Sequence, residues 1–322
     1  MSIYKGSVLV SGKGVIEIDS ALSATSRNPV QNNVITSALN RKPDKNDIIA
    51  ISPNLLINPN FKINQRGKTR YATEGYTVDC WKLKKHPSVS TIGSVAVNDD
   101  YVTLTSGGTR LDTYFLQLIE NASTELAGKQ VTISFKVAGD VGDSWYAGQY
   151  EGSYATLENA SIDENGIGHV SITWDGSKSV QAISFFNNKQ SASVDIYWVK
   201  LEVGDSSTMF ITPDSSQELL KCQSFYMIIP TGRYTRATFV GTSIVFFLLS
   251  LPVAMKKTPS IVSGTMGVIP LNQSTSSQAD TSFDFTIAGV KNNSLTIQAS
   301  KTNGAIDGAL YVTETLILSA EL

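Results

Sequence analysis

The chain has 322 residues, 41% of them hydrophobic and 17% charged, with a formal charge of −2. That hydrophobic content supports packed cores and excludes a disordered chain, while the charge falls below the roughly 25% usual for soluble domains. Net charge is +2 over residues 1–53, −4 over 54–213 and 0 over 214–322, so no segment offers the basic face of a nucleic-acid binder.

Residues 1–53 are expected to form an attachment and stalk segment. Val8, Val10, Val15, Ile16 and Ile18 alternate in the β manner, interrupted by Gly12 and Gly14. Asn28 before Pro29 then reads as a helix cap with proline at the first helical position. Val30, Val34, Ile35, Ala38 and Leu39 follow at helical spacing and make an apolar stripe. A helix of about three turns is marginal alone. The polar run from Lys42 to Asp47 leaves the stripe little local surface to cover, which favours self-association of several copies around an axis.

Residues 54–213 read as one all-β domain. Alternation recurs at Tyr101–Thr105, Val131–Val137, His169–Trp174 and Val194–Leu201, with turn residues at Asn98–Asp100, Gly107-Gly108, Glu164–Gly166 and Asp175-Gly176. Short strands with regular turns and no long helix predict a sandwich of the jelly-roll kind. Trp81, Trp174 and Trp198 sit in apolar strand contexts and are expected in the core.

Residues 214–322 are expected to form a β-rich head, opened by a helix over Ser215–Phe225 that is capped by Asp214 or Ser215. The 19 residues from Ala237 to Met255 carry no charge, but Gly241, Thr242, Ser243, Ser250 and Pro252 interrupt them. Two strands with a turn near Gly241 are expected there rather than a membrane span. Only 14 of the 109 residues of this segment are charged, which favours close-contact recognition or self-association.

Three passages carry a family resemblance. Ala21-Leu-Ser-Ala-Thr-Ser-Arg-Asn-Pro-Val-Gln-Asn-Asn-Val-Ile resembles a segment of phage tail fibres and baseplate proteins. Asn54-Leu-Leu-Ile-Asn-Pro-Asn-Phe-Lys-Ile-Asn-Gln-Arg-Gly, followed by Tyr76-Thr-Val-Asp-Cys-Trp, resembles the opening of their carbohydrate-binding-like jelly roll. Trp198-Val-Lys-Leu-Glu-Val-Gly, Phe210-Ile-Thr-Pro and Glu218-Leu-Leu-Lys-Cys-Gln-Ser-Phe-Tyr resemble that module's end and exit helix. The resemblance implies a phage tail fibre or receptor-binding protein, and the stalk stripe with the charge-poor head makes a homotrimer the expected assembly. It would sit at the tail tip or baseplate of the virion, held through its N-terminus by other tail proteins, and bind a bacterial surface glycan. One departure is Pro59, where the family often has glycine; proline cannot take the left-handed conformation, which argues against an ion held by that turn.

The aromatics Trp145, Tyr146, Tyr150 and Tyr154, set among glycines and serines, are the first candidates for sugar stacking on an exposed loop. Tyr234 and Phe239 are the alternative in the head. No nucleophile elbow, phosphate loop or zinc-helix motif occurs, so no enzyme and no cofactor are expected. Two cysteines, Cys80 and Cys222, and two histidines, His86 and His169, leave little from which to build a disulfide framework or a metal site. Met1-Ser-Ile-Tyr-Lys leads into polar residues, so no secretory leader is expected. The rivals to glycan attachment are a purely structural spacer or decoration and a glycan-cleaving depolymerase.

Overall fold

In the strand at Gln130–Gly139, Val131, Ile133, Phe135 and Val137 alternate with polar residues, and all four side chains are buried in one core. The same two-residue period builds most of this protein. A computed structural model describes residues 3–5, 8–11, 14–17, 52–87, 90–108, 113–139, 145–150, 155–187, 192–232, 234–239, 244–270, 280–301, 308–312 and 314–321. The chain divides into two units, Met1–Ile51 and Ser52–Leu322.

The first unit contains a three-stranded antiparallel meander of β1 (Ile3–Lys5), β2 (Val8–Ser11) and β3 (Gly14–Glu17). Val10 pairs with Ile3 on one side and Val15 on the other. The stalk helix expected around Val30, Val34, Ile35, Ala38 and Leu39 lies outside the described residues.

In the second unit the chain first forms β4 (Arg70–Tyr71), β5 (Gly75–Tyr76), β6 (Lys82–Lys85), β7 (Ser94–Val97), β8 (Val102–Thr105) and β9 (Thr113–Leu118). A one-turn helix α1 (Ala122–Glu125) leads to β10 (Gln130–Gly139), β11 (Trp145–Tyr150), β12 (Ala155–Ala160), β13 (Ile167–Thr173), β14 (Ala182–Asn187) and β15 (Ser193–Val203). Two six-stranded antiparallel sheets result, ordered β13-β10-β15-β8-β7-β4 and β12-β11-β14-β9-β6-β5. The chain passes repeatedly from one sheet to the other, with β5–β6, β7–β8 and β11–β12 as hairpins inside one sheet, an arrangement of the jelly-roll kind. One core fills the space between them. Val102, Leu104, Ile133, Phe135, Val194 and Ile196 line it from the first sheet, and Leu83, Phe115, Ala147 and Ile183 from the second. Trp81 and Trp174 are fully buried, with Trp81 stacked on Phe115 at 4.9 Å between ring centroids.

Helix α2 (Ser215–Gln223) opens the next part. Its cap is Asp214, whose carboxylate accepts from the backbone N–H groups of Ser216 and Gln217 at 3.0 Å. Then come β16 (Tyr226–Ile229), β17 (Tyr234–Phe239), β18 (Ile244–Ser250), β19 (Ser260–Ser263), β20 (Met266–Pro270), β21 (Asp284–Lys291), β22 (Ser294–Ser300), β23 (Gly308–Val312) and β24 (Leu316–Ser319). They make a three-stranded sheet, β16-β24-β19, and a six-stranded one, β20-β23-β17-β18-β22-β21. Val245, Phe247, Leu249, Leu295, Ile297, Met227 and Leu318 share a second core. The uncharged stretch forms the β17–β18 pair, with Ala237 opposite Phe247. Among the described residues no helix is long and apolar enough to cross a membrane.

Candidate functional site

The outward face of the first sheet carries an aromatic pair. Tyr101 immediately precedes β8, and Tyr197 lies on the neighbouring β15; their ring centroids are 5.2 Å apart and tilted by 42°. Tyr197 reaches that face through a bulge. Lys136 pairs with Trp198 and Val137 with Ile196, which leaves Tyr197 as the extra residue of β15. Ile196 and Val199 on either side are buried in the core, while Tyr197 and Trp198 are half-buried outside it. Trp198 is therefore not a core residue as its sequence context suggests. Its indole stacks on Phe210 at 4.6 Å with the rings 4° from parallel.

The segment after β15 straps one half of this outward face. Lys200 Nζ donates to the carbonyl oxygens of Thr208 and Met209 at 3.2 and 3.1 Å, and the backbone N–H of Thr208 donates to Glu202 at 2.9 Å. Lys200 and Glu202 are themselves 3.1 Å apart, so two buried charges are paired and hydrogen-bonded. The other half carries the tyrosine pair. Lys136 Nζ lies 5.5 Å from the Tyr197 ring centroid. Thr103 Oγ1 donates to Asp195 at 2.7 Å and accepts from Asn98 at 3.0 Å, and Thr105 and Ser193 bond at 3.0 Å. A row of polar groups thus runs beside the rings.

A cleft of about 610 Å³ opens next to Tyr197, lined by Lys136, Ala138, Ile162 and the turn Asp163–Gly166. Asp163 Oδ1 accepts from the backbone N–H of Asn165 and Ile167 at 2.9 and 2.8 Å, and these bonds hold its carboxyl below the usual carboxylate range. The turn is an Asx turn, with one carboxylate oxygen engaged by two backbone donors. Gly166 has φ +76°, and its carbonyl accepts from the backbone N–H of Val137 at 2.8 Å, which seats the turn on β10. An aromatic floor, a fixed polar wall and a Lys–Asp–Thr rim suit a ligand with apolar C–H faces and many hydroxyls.

The carboxylates that burial raises lie elsewhere. Asp79 is pushed up to about 6 by burial, opposed by Gln65 and Arg66, and Glu321 is also raised by burial. Glu321 borders a space of only about 20 Å³, too small for a sugar. On the cleft, the lowered Asp163 is a poor general acid. Glu158 and Asp175 border a second cleft of about 420 Å³, where hydrogen bonds from Ser177 hold the Asp175 carboxyl below the usual carboxylate range.

The aromatic loop expected at 145–154 needs correction. Trp145 to Tyr150 form strand β11, hydrogen-bonded on both sides to β12 and β14, and Tyr150 is only 2% exposed. Its ring meets Tyr114 edge-on at 5.5 Å. Its phenol is pushed up to about 12 by burial. Tyr150 is a packed residue and offers no face to a sugar. Trp145 and Tyr146 belong to the same strand, but their side chains, and Tyr154 altogether, lie outside the described residues. Tyr234 and Phe239 begin and end β17, opposite Tyr311 and Val245, with side chains likewise outside the described set. Tyr101, Tyr197 and Lys136 do not stand out as site residues in the sequence. The alternation Tyr101-Val-Thr-Leu-Thr already put Tyr101 on the polar face, but the bulge that frees Tyr197 has no local signature.

No family model matches this chain, and no curated protein sequence matches it. Solved structures do. The CBM22-1 xylan-binding domain of Paenibacillus barcinonensis Xyn10C is 9% identical, with a TM-score of 0.30, over 48% of this chain and 97% of that one. The CBM22-1-CBM22-2 tandem of the same protein is 8% identical with a TM-score of 0.30, over 85% and 99%. A putative sugar binding protein from Bacteroides thetaiotaomicron is 11% identical with a TM-score of 0.26, over 47% and 100%.

Proposed function

We propose that this chain is a non-catalytic glycan-binding attachment protein, and that the Tyr101–Tyr197 face is its binding floor. The observation that carries the reading is the pair of half-buried tyrosine rings on an outward sheet face beside a 610 Å³ cleft rimmed by Lys136 and the Asp163 turn. The rings meet C–H faces, and Lys136, Asp195 and Thr103 meet hydroxyls. Trp145, Tyr146 and Tyr154 are retained as a second platform of the same kind, without Tyr150; Tyr234 and Phe239 remain the head's alternative.

The phage-tail part of the proposal rests on the sequence resemblance. In it, residues 1–53 anchor the chain to a tail or baseplate, the 54–213 module binds a bacterial surface glycan, and the 214–322 head assists trimerisation. On β18 the outward residues Ile244 and Leu248 are 37% and 55% exposed, in a segment poor in charge, and this apolar row supports self-association. The decisive experiment is a glycan array with the full chain and its Tyr101→Ala, Tyr197→Ala double variant. Selective signal lost in a folded double variant supports the reading. Equal signal from both removes this face as the site, and no signal from the parent favours the spacer role.

A further inference from the structure

Cys80 and Cys222 are 142 positions apart in sequence, yet Asn58 bonds both to Asp79, which precedes Cys80, and to Glu218, one helical turn before Cys222. The backbone around them is fixed. Cys80 has a left-handed φ of +68° in a turn closed by Trp81 N–H to Val78 O at 3.0 Å and Thr77 N–H to Trp81 O at 2.8 Å. Asn58 ties this turn to helix α2. Its side-chain amide donates to Asp79 O at 3.0 Å, and its backbone N–H donates to Glu218 Oε2 at 2.7 Å. Glu218 and Cys222 are one turn apart on the same buried face of α2. The turn that holds Cys80 and the helix that holds Cys222 therefore meet across the joint between the sandwich and the C-terminal sheets.

Access is asymmetric. Cys222 is buried, whereas Cys80 is half-buried and borders a notch of about 20 Å³ with Tyr76, Phe225 and Glu321. That volume holds one molecule of roughly water size. Glu321 has one carboxylate oxygen, Oε1, buried without a hydrogen-bond partner, a ready acceptor for a small hydroxylic molecule.

From this geometry we infer that Cys80 and Cys222 are a peroxide-sensitive cross-linking site that locks helix α2 to the sandwich. The Cys80 thiolate attacks one oxygen of hydrogen peroxide. An S–O bond forms, the O–O bond breaks and hydroxide leaves, giving the Cys80 sulfenic acid. Cys222 sulfur then attacks the Cys80 sulfur; the S–S bond forms, the S–O bond breaks, and the departing hydroxide takes the Cys222 proton. Two thiols and one peroxide become one disulfide and two waters, sulfur being oxidised and peroxide oxygen reduced. The contact between Cys80 and Cys222, together with the burial of Cys222, raises the Cys222 thiol well above its ordinary range. Because Cys80 borders the notch and Cys222 is buried behind it, Cys80 is the first to react and Cys222 is the resolving partner.

The full-length protein is treated with hydrogen peroxide or with a reductant, alkylated under denaturing conditions, digested and mapped by mass spectrometry. The expected product joins the Cys80 and Cys222 peptides within one chain. The oxidised protein should melt several degrees above the reduced one, because the link closes a long loop. Cys80→Ser should abolish both changes. If Cys222 alkylates fully after oxidation, with Cys80 unchanged or carried on to sulfinic acid, the inference fails. The wild-type map decides this even if the variant does not fold.

Discussion

The guanidinium carbon of Arg66 lies 3.9 Å from the centroid of the Tyr226 ring. Tyr226 begins the C-terminal sheets, whereas Arg66 belongs to the opening loop of the sandwich. The same guanidinium bonds to Asp79 at 3.3 Å and to Glu321, while the Gln65 amide donates to both Asp79 and the Tyr226 carbonyl at 2.8 Å. All three charged side chains are largely buried. One cation thus joins residues from both ends of the second unit.

Arg66→Ala would strand two buried carboxylates. We expect it to cost on the order of 3–5 kcal/mol, the usual penalty for breaking a buried pair from one side. Lysine keeps the charge but not the planar fork, so Arg66→Lys should recover only part of the loss. Urea denaturation measures both, and an Arg66→Ala midpoint equal to the parent's would dismiss the cation's structural role.

The pH dependence follows from the same cluster. Asp79 titrates at about 6 in the folded chain because burial outweighs the help of Gln65 and Arg66; its ordinary value is 3.8. Between those values the folded state binds a proton that the unfolded state does not. Stability should therefore rise as pH falls from about 6 to about 4, by on the order of 2–3 kcal/mol. Glu321, also raised, acts in the same direction. Asp280 has the opposite sign. Hydrogen bonds from Lys301 and Ser282 hold it at about 2, and its contribution is lost as pH falls below about 4. A melting-temperature maximum near pH 4–5 is the expected profile. In Asp79→Asn the rise between pH 6 and 4 should shrink markedly; an unchanged rise would assign it elsewhere.

The alternation of Val102 with Leu104 and of Val194 with Ile196 announced two strands that share a sheet, and Asp214 announced the start of α2. Those signals are local, because one buried face imposes its period on each strand. The features that matter at the candidate site are not local. The bulge at Tyr197 exists only because β15 must pair with β10 while keeping both Ile196 and Val199 in the core. The stretch around Trp145 reads as a loop because of Gly148 and its glycine and serine neighbours. Pairing on both sides overrides that composition and makes it a strand. Cys80 beside Cys222 and Arg66 beside Glu321 are products of tertiary closure, invisible in any window of sequence.

Chelators should leave the melting temperature unchanged within about 1 °C, well below the several degrees a lost structural ion would cost. At the Asn58 turn, the backbone oxygen accepts from Phe61 N–H at 3.2 Å and from the Trp81 indole at 2.9 Å, while Asn58 Oδ1 accepts from Ile63 N–H at 3.0 Å. These oxygens already have protein donors, and Asp163 Oδ1 is similarly engaged. A fall of many degrees in EDTA would mean that an ion is held by other groups.

Gly166 is the point at which the cleft wall can be moved without touching a ligand contact. A Cβ there would sit 2.2 Å from the Val137 carbonyl oxygen, and the residue's φ of +76° is itself unfavourable for alanine. We expect Gly166→Ala to cost about 1–3 kcal/mol and to displace the turn from β10. Glycan affinity should fall with it. Undiminished affinity at lowered stability would separate the turn from the site.

The tyrosine pair gives the last and most direct expectation. Stacking of a sugar on one ring is worth about 1 kcal/mol, by analogy with other aromatic contacts. Tyr197→Ala should therefore weaken binding roughly 5- to 10-fold, and Tyr101→Ala by a similar or smaller factor. Because the rings are in contact, the two losses should not add: removing Tyr101 also frees Tyr197 to tilt. Lys136→Met keeps the stem that lies by Tyr197 and removes only the charge, so it tests the polar rim apart from the floor. Phe210→Ala disturbs the strapped half of the same sheet through Trp198 and serves as the control. It should lower stability but leave affinity within about twofold, a difference of roughly 0.4 kcal/mol. Calorimetric titration of the full chain with the best array ligand measures all four variants. If Phe210→Ala loses as much affinity as Tyr197→Ala, binding depends on the sheet as a whole, and the open half is not the floor.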